Sequence, residues 1–94
     1  MPSQWPFAQP KNSAVITQRT IMDAGHPVIL VTHDADDHGW CFLDGGPFDT
    51  AQALVVALST VVDLDPTLIE LADLPPGWQA TRSQPLSPWQ RRSS

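Results

Sequence analysis

PVILVTHDADDHGWCFLDGG, residues 27–46, is the stretch that determines the fold of this chain. Two runs of strand-forming residues, 28–32 and 40–43, flank a short polar segment rich in Asp. Such a pattern is typical of a β-hairpin. Because both runs are apolar at consecutive positions, they predict strands in the middle of a sheet, covered on both faces. The period of two places Trp40 and Phe42 on one face, mostly buried, and Cys41 and Leu43 on the other.

Shorter patterns outside the hairpin predict the elements that pack against it. Residues 14–16 favour a short strand, and residues 18–24 a brief helix that Gly25 ends. Residues 53–58 suit either a strand or a helix, and their consecutive valines favour the strand. Asp65 and Pro66 are typical of a helix start, and residues 78–82 alternate as a last strand. The sequence therefore predicts an α+β fold, with a mostly antiparallel sheet of four or five strands and short helices packed on one face.

The length of the chain, 94 residues, allows one small domain with one modest core. Residues 1–12 are rich in Pro and Gln and predict an extended N-terminal arm. Residues 13–82 form the predicted single α+β domain. Residues 83–94, composed mainly of Pro, Ser, Gln and Arg, predict a flexible C-terminal tail.

Charge is distributed unevenly along the chain. The net charge is −5, and all ten carboxylates lie between Asp23 and Asp73, a span without Lys or Arg. Such a span repels nucleic acid and anionic lipid and attracts a basic protein. The other interpretation of the same charge is solubility.

Targeting features are missing from the sequence. No run approaches the roughly 20 apolar residues that span a bilayer, and the N-terminus lacks the pattern of a signal peptide. The single cysteine, Cys41, lies in a predicted apolar strand, where a free cysteine usually behaves as a small buried hydrophobic residue. A free buried thiol fits a reducing compartment. We expect a cytoplasmic protein without a membrane partner.

The turn of the hairpin contains the main candidate binding residues. His33 and His38 bracket Asp34, Asp36 and Asp37, and imidazole with carboxylate suits a divalent transition metal. The spacing matches no established metal signature, and Asp is common in ordinary turns, so we expect no metal and no cofactor. Trp40 joins these residues as a candidate binding aromatic, although its alternative role, with Trp78, is that of a core anchor.

No catalytic motif is present. Cys41 lies in a predicted strand, where a buried thiol is inert, and Gly45-Gly46-Pro47 lacks the lysine and helix start of a phosphate loop. The sequence therefore favours a protein that is not an enzyme.

The spacing Gly39-Trp40-x-Phe42-x-x-Gly45 resembles a bacterial family of domains of unknown function, associated with immunity proteins of polymorphic toxin systems. His33-Asp34 stands where the family has a charged pair at the end of the strand, and Asp37-His38 where it has an acidic-Ser pair. Asp65-Pro66 is similar to an Asp-Pro in the family's helical stretch, and Arg82 to its closing basic residue.

The likeness covers about residues 13–82 and includes Ala14-Val15-Ile16-Thr17 and Gly25. After Gly45 the chain lacks the additional acids and the longer insertion that the family usually has. The resemblance implies a small α+β domain of the bacterial cytoplasm.

Two functional hypotheses follow. The first is a non-catalytic, immunity-like domain that binds a basic protein through an acidic surface. The alternative is a metal- or small-ligand-binding domain, including an enzymatic one, that uses the His/Asp cluster of the turn. The sequence leaves the choice between a monomer and a homodimer open.

Overall fold

One mixed sheet organises the computed structural model, which describes residues 5–47 and 49–93. Within those residues the sheet has six strands in the spatial order β4-β1-β3-β2-β5-β6. The neighbours pair antiparallel except β1 and β3, which run parallel. The strands are β1 (Ala14–Gln18), β2 (Leu30–His33), β3 (Trp40–Leu43), β4 (Ala53–Ala57), β5 (Trp78–Thr81) and β6 (Gln90–Ser93).

Four short helical segments connect the strands in the described part of the chain. The α-helices are α1 (Arg19–Met22) and α2 (Leu58–Leu64), and the 3₁₀ segments are Thr50–Gln52 and Pro66–Leu71. Asp65 caps the second 3₁₀ segment by accepting from the Thr67 N–H at 3.1 Å, with Pro66 at its first position. This confirms the helix start predicted at Asp65 and Pro66, and the α+β class is confirmed as well.

The predicted hairpin forms and occupies the centre of the sheet. β2 pairs antiparallel with β3, with Leu30 opposite Leu43 and His33 opposite Trp40. Trp40 and Phe42 face the core as predicted, whereas Cys41 and Leu43 point to the other face. That second face is only half-buried along both strands, so the prediction that both faces are covered is wrong there. The reason is that the helices pack on one face of the sheet only.

The core lies between the sheet and α2 with its following 3₁₀ segment. α2 contributes Leu58, Val61 and Val62, each nearly inaccessible to solvent. Phe7, from the predicted arm, is 5% exposed and meets the Trp40 ring edge-on at 5.4 Å between centroids. Phe7 is therefore part of the core, and residues 1–4 of the predicted arm lie outside the described residues. The buried residues of the core are Phe7, Val15, Ile21, Val28, Val31, Trp40, Phe42, Leu58, Val61, Val62, Leu68, Leu71, Leu74 and Ala80.

The ends of the sheet differ in how well the sequence predicts them. Residues 53–57 form β4, which confirms the strand favoured over a helix. Residues 90–93 form the edge strand β6 inside the segment predicted as a flexible tail, so the sheet has one strand more than the predicted maximum. β6 is held by Arg91, whose side chain bonds the Asp73 carboxylate at 2.7 Å and the Glu70 carbonyl at 2.6 Å.

No helix within residues 5–47 and 49–93 is long and apolar enough to cross a membrane.

Candidate binding surface

The turn between β2 and β3 is built by its own carboxylates. The Asp34 N–H bonds the Gly39 carbonyl at 2.8 Å and closes the loop. Asp34 Oδ1 accepts from the Asp36 N–H, and Asp37 Oδ1 from the Gly39 N–H, each at 2.7 Å. These are the local side-chain to backbone bonds that make Asp favourable in turns. The side chains of Asp34, Asp36 and Asp37, called the tip carboxylates below, remain exposed.

His33 does not belong to this exposed set. It is 7% exposed, stacks on the Trp40 ring at 4.0 Å, and its Nδ1 lies 2.7 Å from the Leu74 carbonyl oxygen. Since a carbonyl only accepts, Nδ1 carries the proton and donates. Trp40 is 2% exposed. Two of the six predicted binding residues, His33 and Trp40, are thus mainly core residues, while His38 stays exposed with a φ of 59°.

The metal site considered for the turn is not assembled. Among the described residues, no three His, Cys, Asp or Glu side chains lie close enough together to hold a metal ion. The cause is local: His33 points into the core, and Asp34 and Asp37 each use an oxygen to hold backbone N–H groups of the turn.

A groove of about 310 Å³ runs from this turn across the uncovered face of the sheet. Ile16 lies beside Cys41 and opposite Val55, so β3, β1 and β4 contribute neighbouring side chains to its floor. Because no helix within residues 5–47 and 49–93 covers this face, Ile16 is 39% exposed and Val55 is 72% exposed. The tip groove, as we call it, is lined by Ala14, Val15, Ile16, Asp34, Asp37, Gly39, Trp40, Cys41 and Val55.

The negative charge at the groove is not neutralised locally. Within residues 5–47 and 49–93, no Lys or Arg lies within ion-pair distance of a tip carboxylate. Basic side chains are engaged elsewhere: Arg19 with Asp23, Arg82 with Asp65, Arg91 with Asp73, and Lys11 over the Trp5 ring. The groove therefore combines an apolar floor with a carboxylate rim, which suits a ligand that is both apolar and positively charged.

Sequence reasoning did not identify Ile16 and Val55 as part of a binding surface. Each alternates with inward-facing neighbours in its strand, which is the signal that one face of β1 and β4 points away from the core. The missing information was that none of the described helices covers that second face.

A second, smaller cleft of about 220 Å³ lies beside Arg82. Arg82 is 4% exposed and donates to the Val28 carbonyl, the Thr67 hydroxyl and the Asp65 carboxylate at 2.9, 2.9 and 2.7 Å. The Trp89 ring lies 4.2 Å from its guanidinium carbon. Asp65 and Arg82, both part of the family resemblance, are therefore a structural ion pair that connects β5 to the segment after α2.

Comparison of the chain with protein-family models, with curated proteins and with solved structures finds no match.

Proposed function

We propose that this chain is a non-catalytic protein-binding domain that takes a basic segment of another protein through the tip groove. The observation that supports it most directly is the position of Asp34 and Asp37 on the rim of an exposed apolar groove, with no basic neighbour among the described residues. An apolar side chain of the partner would lie over Ile16 and Val55, and a flanking Lys or Arg would meet the tip carboxylates.

The two parts of the surface have different physical roles. The apolar floor supplies affinity by removing Ile16 and Val55 from water, at about 25 cal/mol per Å² buried. The rim carboxylates supply orientation and a faster association rate, because exposed charges mainly change encounter rates and salt dependence. Nucleic acid and anionic membranes are disfavoured by the same carboxylates.

The resemblance to immunity proteins of polymorphic toxin systems narrows this proposal to one kind of partner. In that version the basic partner is a toxin, and the gene directly upstream of this chain encodes it.

Binding is tested with isosteric charge removal at the turn. Asn keeps the Oδ1 acceptor that Asp34 and Asp37 use for the turn, so D34N/D36N/D37N removes charge while preserving the loop. The matched control, D23N/D63N/E70Q, removes the same charge from exposed sites away from the groove. The full chain captures its partner from cells of the source organism, and the dissociation constants are then compared.

We expect the turn variant to weaken binding at least about tenfold, or 1.4 kcal/mol, and the control to bind as the parent does. Binding to the parent weakens as salt rises from about 50 to 500 mM, since the Debye length falls from roughly 14 to 4 Å. Equal loss in both variants, or binding that is indifferent to salt, would contradict the proposal.

A further inference from the structure

The strand β4 is the last strand at one side of the sheet. It pairs with β1 on one side only, and no strand of the described residues lies on the other. The backbone groups on that outer side are the ones available to another chain.

The register with β1 decides which residues those are. The Leu58 N–H donates to the Ser13 carbonyl at 2.8 Å, just beyond the pair Ala14 and Ala57. In an antiparallel ladder, hydrogen-bonded and non-bonded pairs alternate. Leu54 and Val56 therefore bond towards β1, and the backbone N–H and C=O groups of residues 53, 55 and 57 point outward.

Two of these outward groups are already used. The Ala53 N–H donates to the Thr50 carbonyl at the end of the 3₁₀ turn. Ala57 is the N-cap of α2, so its carbonyl accepts the first bond of that helix. The groups that remain are the Ala53 carbonyl, both groups of Val55, and the Ala57 N–H.

We propose that β4 pairs with β4 of a second copy of this chain, antiparallel and with a two-fold axis at Val55. In this register Val55 exchanges both of its bonds with Val55 of the other copy. The Ala57 N–H of each copy donates to the Ala53 carbonyl of the other. Every free donor on this edge thus meets a free acceptor of the other copy. The Ala53 N–H and the Ala57 carbonyl, which are already bonded within the chain, lie opposite each other, so neither leaves a free group unpaired.

Charge also favours a second copy over a different partner at this edge. Residues 50–62 contain no charged side chain, so two chains of net charge −5 meet where neither carries charge. The opposite edge is different, because β6 carries Arg91 and Arg92 and is exposed throughout. Charged residues are a common protection of edge strands against pairing, and β4 has none.

The dimer and the proposed partner binding share Val55, but they use different parts of it: its side chain lies in the floor of the tip groove, and its backbone groups make the pairing. Pairing through β4 about this axis extends the sheet and leaves both tip grooves on the same face of it, since paired residues of neighbouring strands share a face. The homodimer forms without any partner and is tested on the isolated protein.

The sharpest test is Ala57→Pro. Ala57 has a φ of −70°, which proline adopts, and it follows a strand residue, as proline prefers. Its N–H makes no bond to β1 in the register above, so the substitution removes only a group of the outer edge. The matched control is Ala57→Ser, which keeps the N–H and suits an N-cap position.

Sedimentation equilibrium and light scattering on the full chain measure the result. We expect about twice the chain mass of 10.3 kDa for the parent and for A57S. A57P has the monomer mass with an unchanged far-ultraviolet circular dichroism spectrum. A parent that stays monomeric up to about 1 mM, or a dimer that A57P leaves intact, overturns the proposal.

A cross-linking variant covers the case in which A57P fails to fold. Residues opposite each other in a bonded antiparallel pair have Cα atoms about 5.5 Å apart, within the range of a disulfide. V55C in a C41S background should therefore form a disulfide dimer under mild oxidation. I16C in the same background is exposed on the same face but one strand inside the edge, and stays monomeric. Absence of the V55C cross-link, or equal cross-linking of I16C, contradicts the proposed register.

Discussion

His33 links the turn of the hairpin to the core. It lies opposite Trp40 in the ladder, stacks on the indole ring, and bonds the Leu74 carbonyl from the segment that precedes β5. A residue whose sequence position indicated an exposed ligand thus connects three parts of the chain. The other histidine of the turn, His38, is exposed and has a left-handed backbone conformation.

The two histidines therefore respond differently to substitution. We expect His33→Ala to lower the free energy of unfolding by about 2–3 kcal/mol, because it removes a packed ring and leaves a buried carbonyl unpaired. His38→Ala is the matched control and changes it by less than about 0.5 kcal/mol. Urea denaturation followed by tryptophan fluorescence measures both. Equal effects of the two substitutions would show that His33 is not a core residue in solution.

At the scale of the elements, Asp44 connects the end of β3 to α1. Its carboxylate accepts from the Thr20 hydroxyl at 2.7 Å and from the Gly46 N–H at 2.9 Å, with His26 3.8 Å away. These contacts hold the pKa of Asp44 below its ordinary value. The hydrogen bond from Thr20 is the largest cause, the Gly46 N–H is the next, and the charge of His26 is a smaller one. The ionised carboxylate therefore holds α1 and the loop after β3 in place.

This connection predicts a dependence of stability on pH. Since the folded pKa of Asp44 lies below the unfolded value of about 3.9, its ionised form stabilises the fold above that pH. The contribution is lost as pH falls through the folded pKa. Thr20→Val removes the donor, and we expect it to raise the Asp44 pKa and cost about 1–2 kcal/mol at pH 7.

Thr20→Ser keeps the hydroxyl and serves as the control for that change. Urea unfolding at pH 7 and pH 2.5 should show the cost of Thr20→Val at the higher pH and a smaller one at the lower. Carboxyl carbon NMR follows the Asp44 pKa directly. An Asp44 pKa that is the same in both variants would refute the role of the Thr20 bond.

The elements that the sequence predicts well are those that local pattern determines. Consecutive strand formers around an Asp-rich turn indicate the hairpin, and Asp65 with Pro66 indicates a capped helical turn. β6 could not be predicted in this way, because its residues are polar and its position depends on Asp73 and Glu70 far away in sequence. The tip groove was missed for the same reason, since it exists only where helices fail to cover one face.

At the scale of the whole molecule, the two faces of the sheet have different roles. One face carries the helices and the core, and the other carries the tip groove with its apolar floor. The Asp residues of the turn lie at the end of the hairpin, and two of them, Asp34 and Asp37, line the groove. Buried His33 and exposed Asp34 are adjacent in sequence, which is why composition alone did not separate the candidate binding residues from the core.

Residues 5–11 contact the core and α2. Phe7 packs against Trp40, the Trp5 indole N–H donates to the Gln9 carbonyl at 2.6 Å, and the Trp40 indole N–H donates to the Gln9 side chain at 3.1 Å. The Ser59 N–H also bonds the Lys11 carbonyl at 2.9 Å. Two of these contacts, from Phe7 and from the Gln9 side chain, are made directly with the Trp40 side chain.

We therefore expect residues 13–94 alone to be much less stable than the full chain, although the sequence places the start of the domain at residue 13. Removing Phe7 from the core costs about 3–5 kcal/mol, and each kcal/mol lowers Tm by about 4–8 °C in a domain of this size. Calorimetry of the chain without residues 1–12, and of Phe7→Ala in the full chain, should show similar losses of more than about 10 °C. Leu86→Ala, at a residue that is 83% exposed, is the control and leaves Tm within a few degrees. A truncated chain that melts at the same temperature as the parent would show that residues 1–12 do not stabilise the fold.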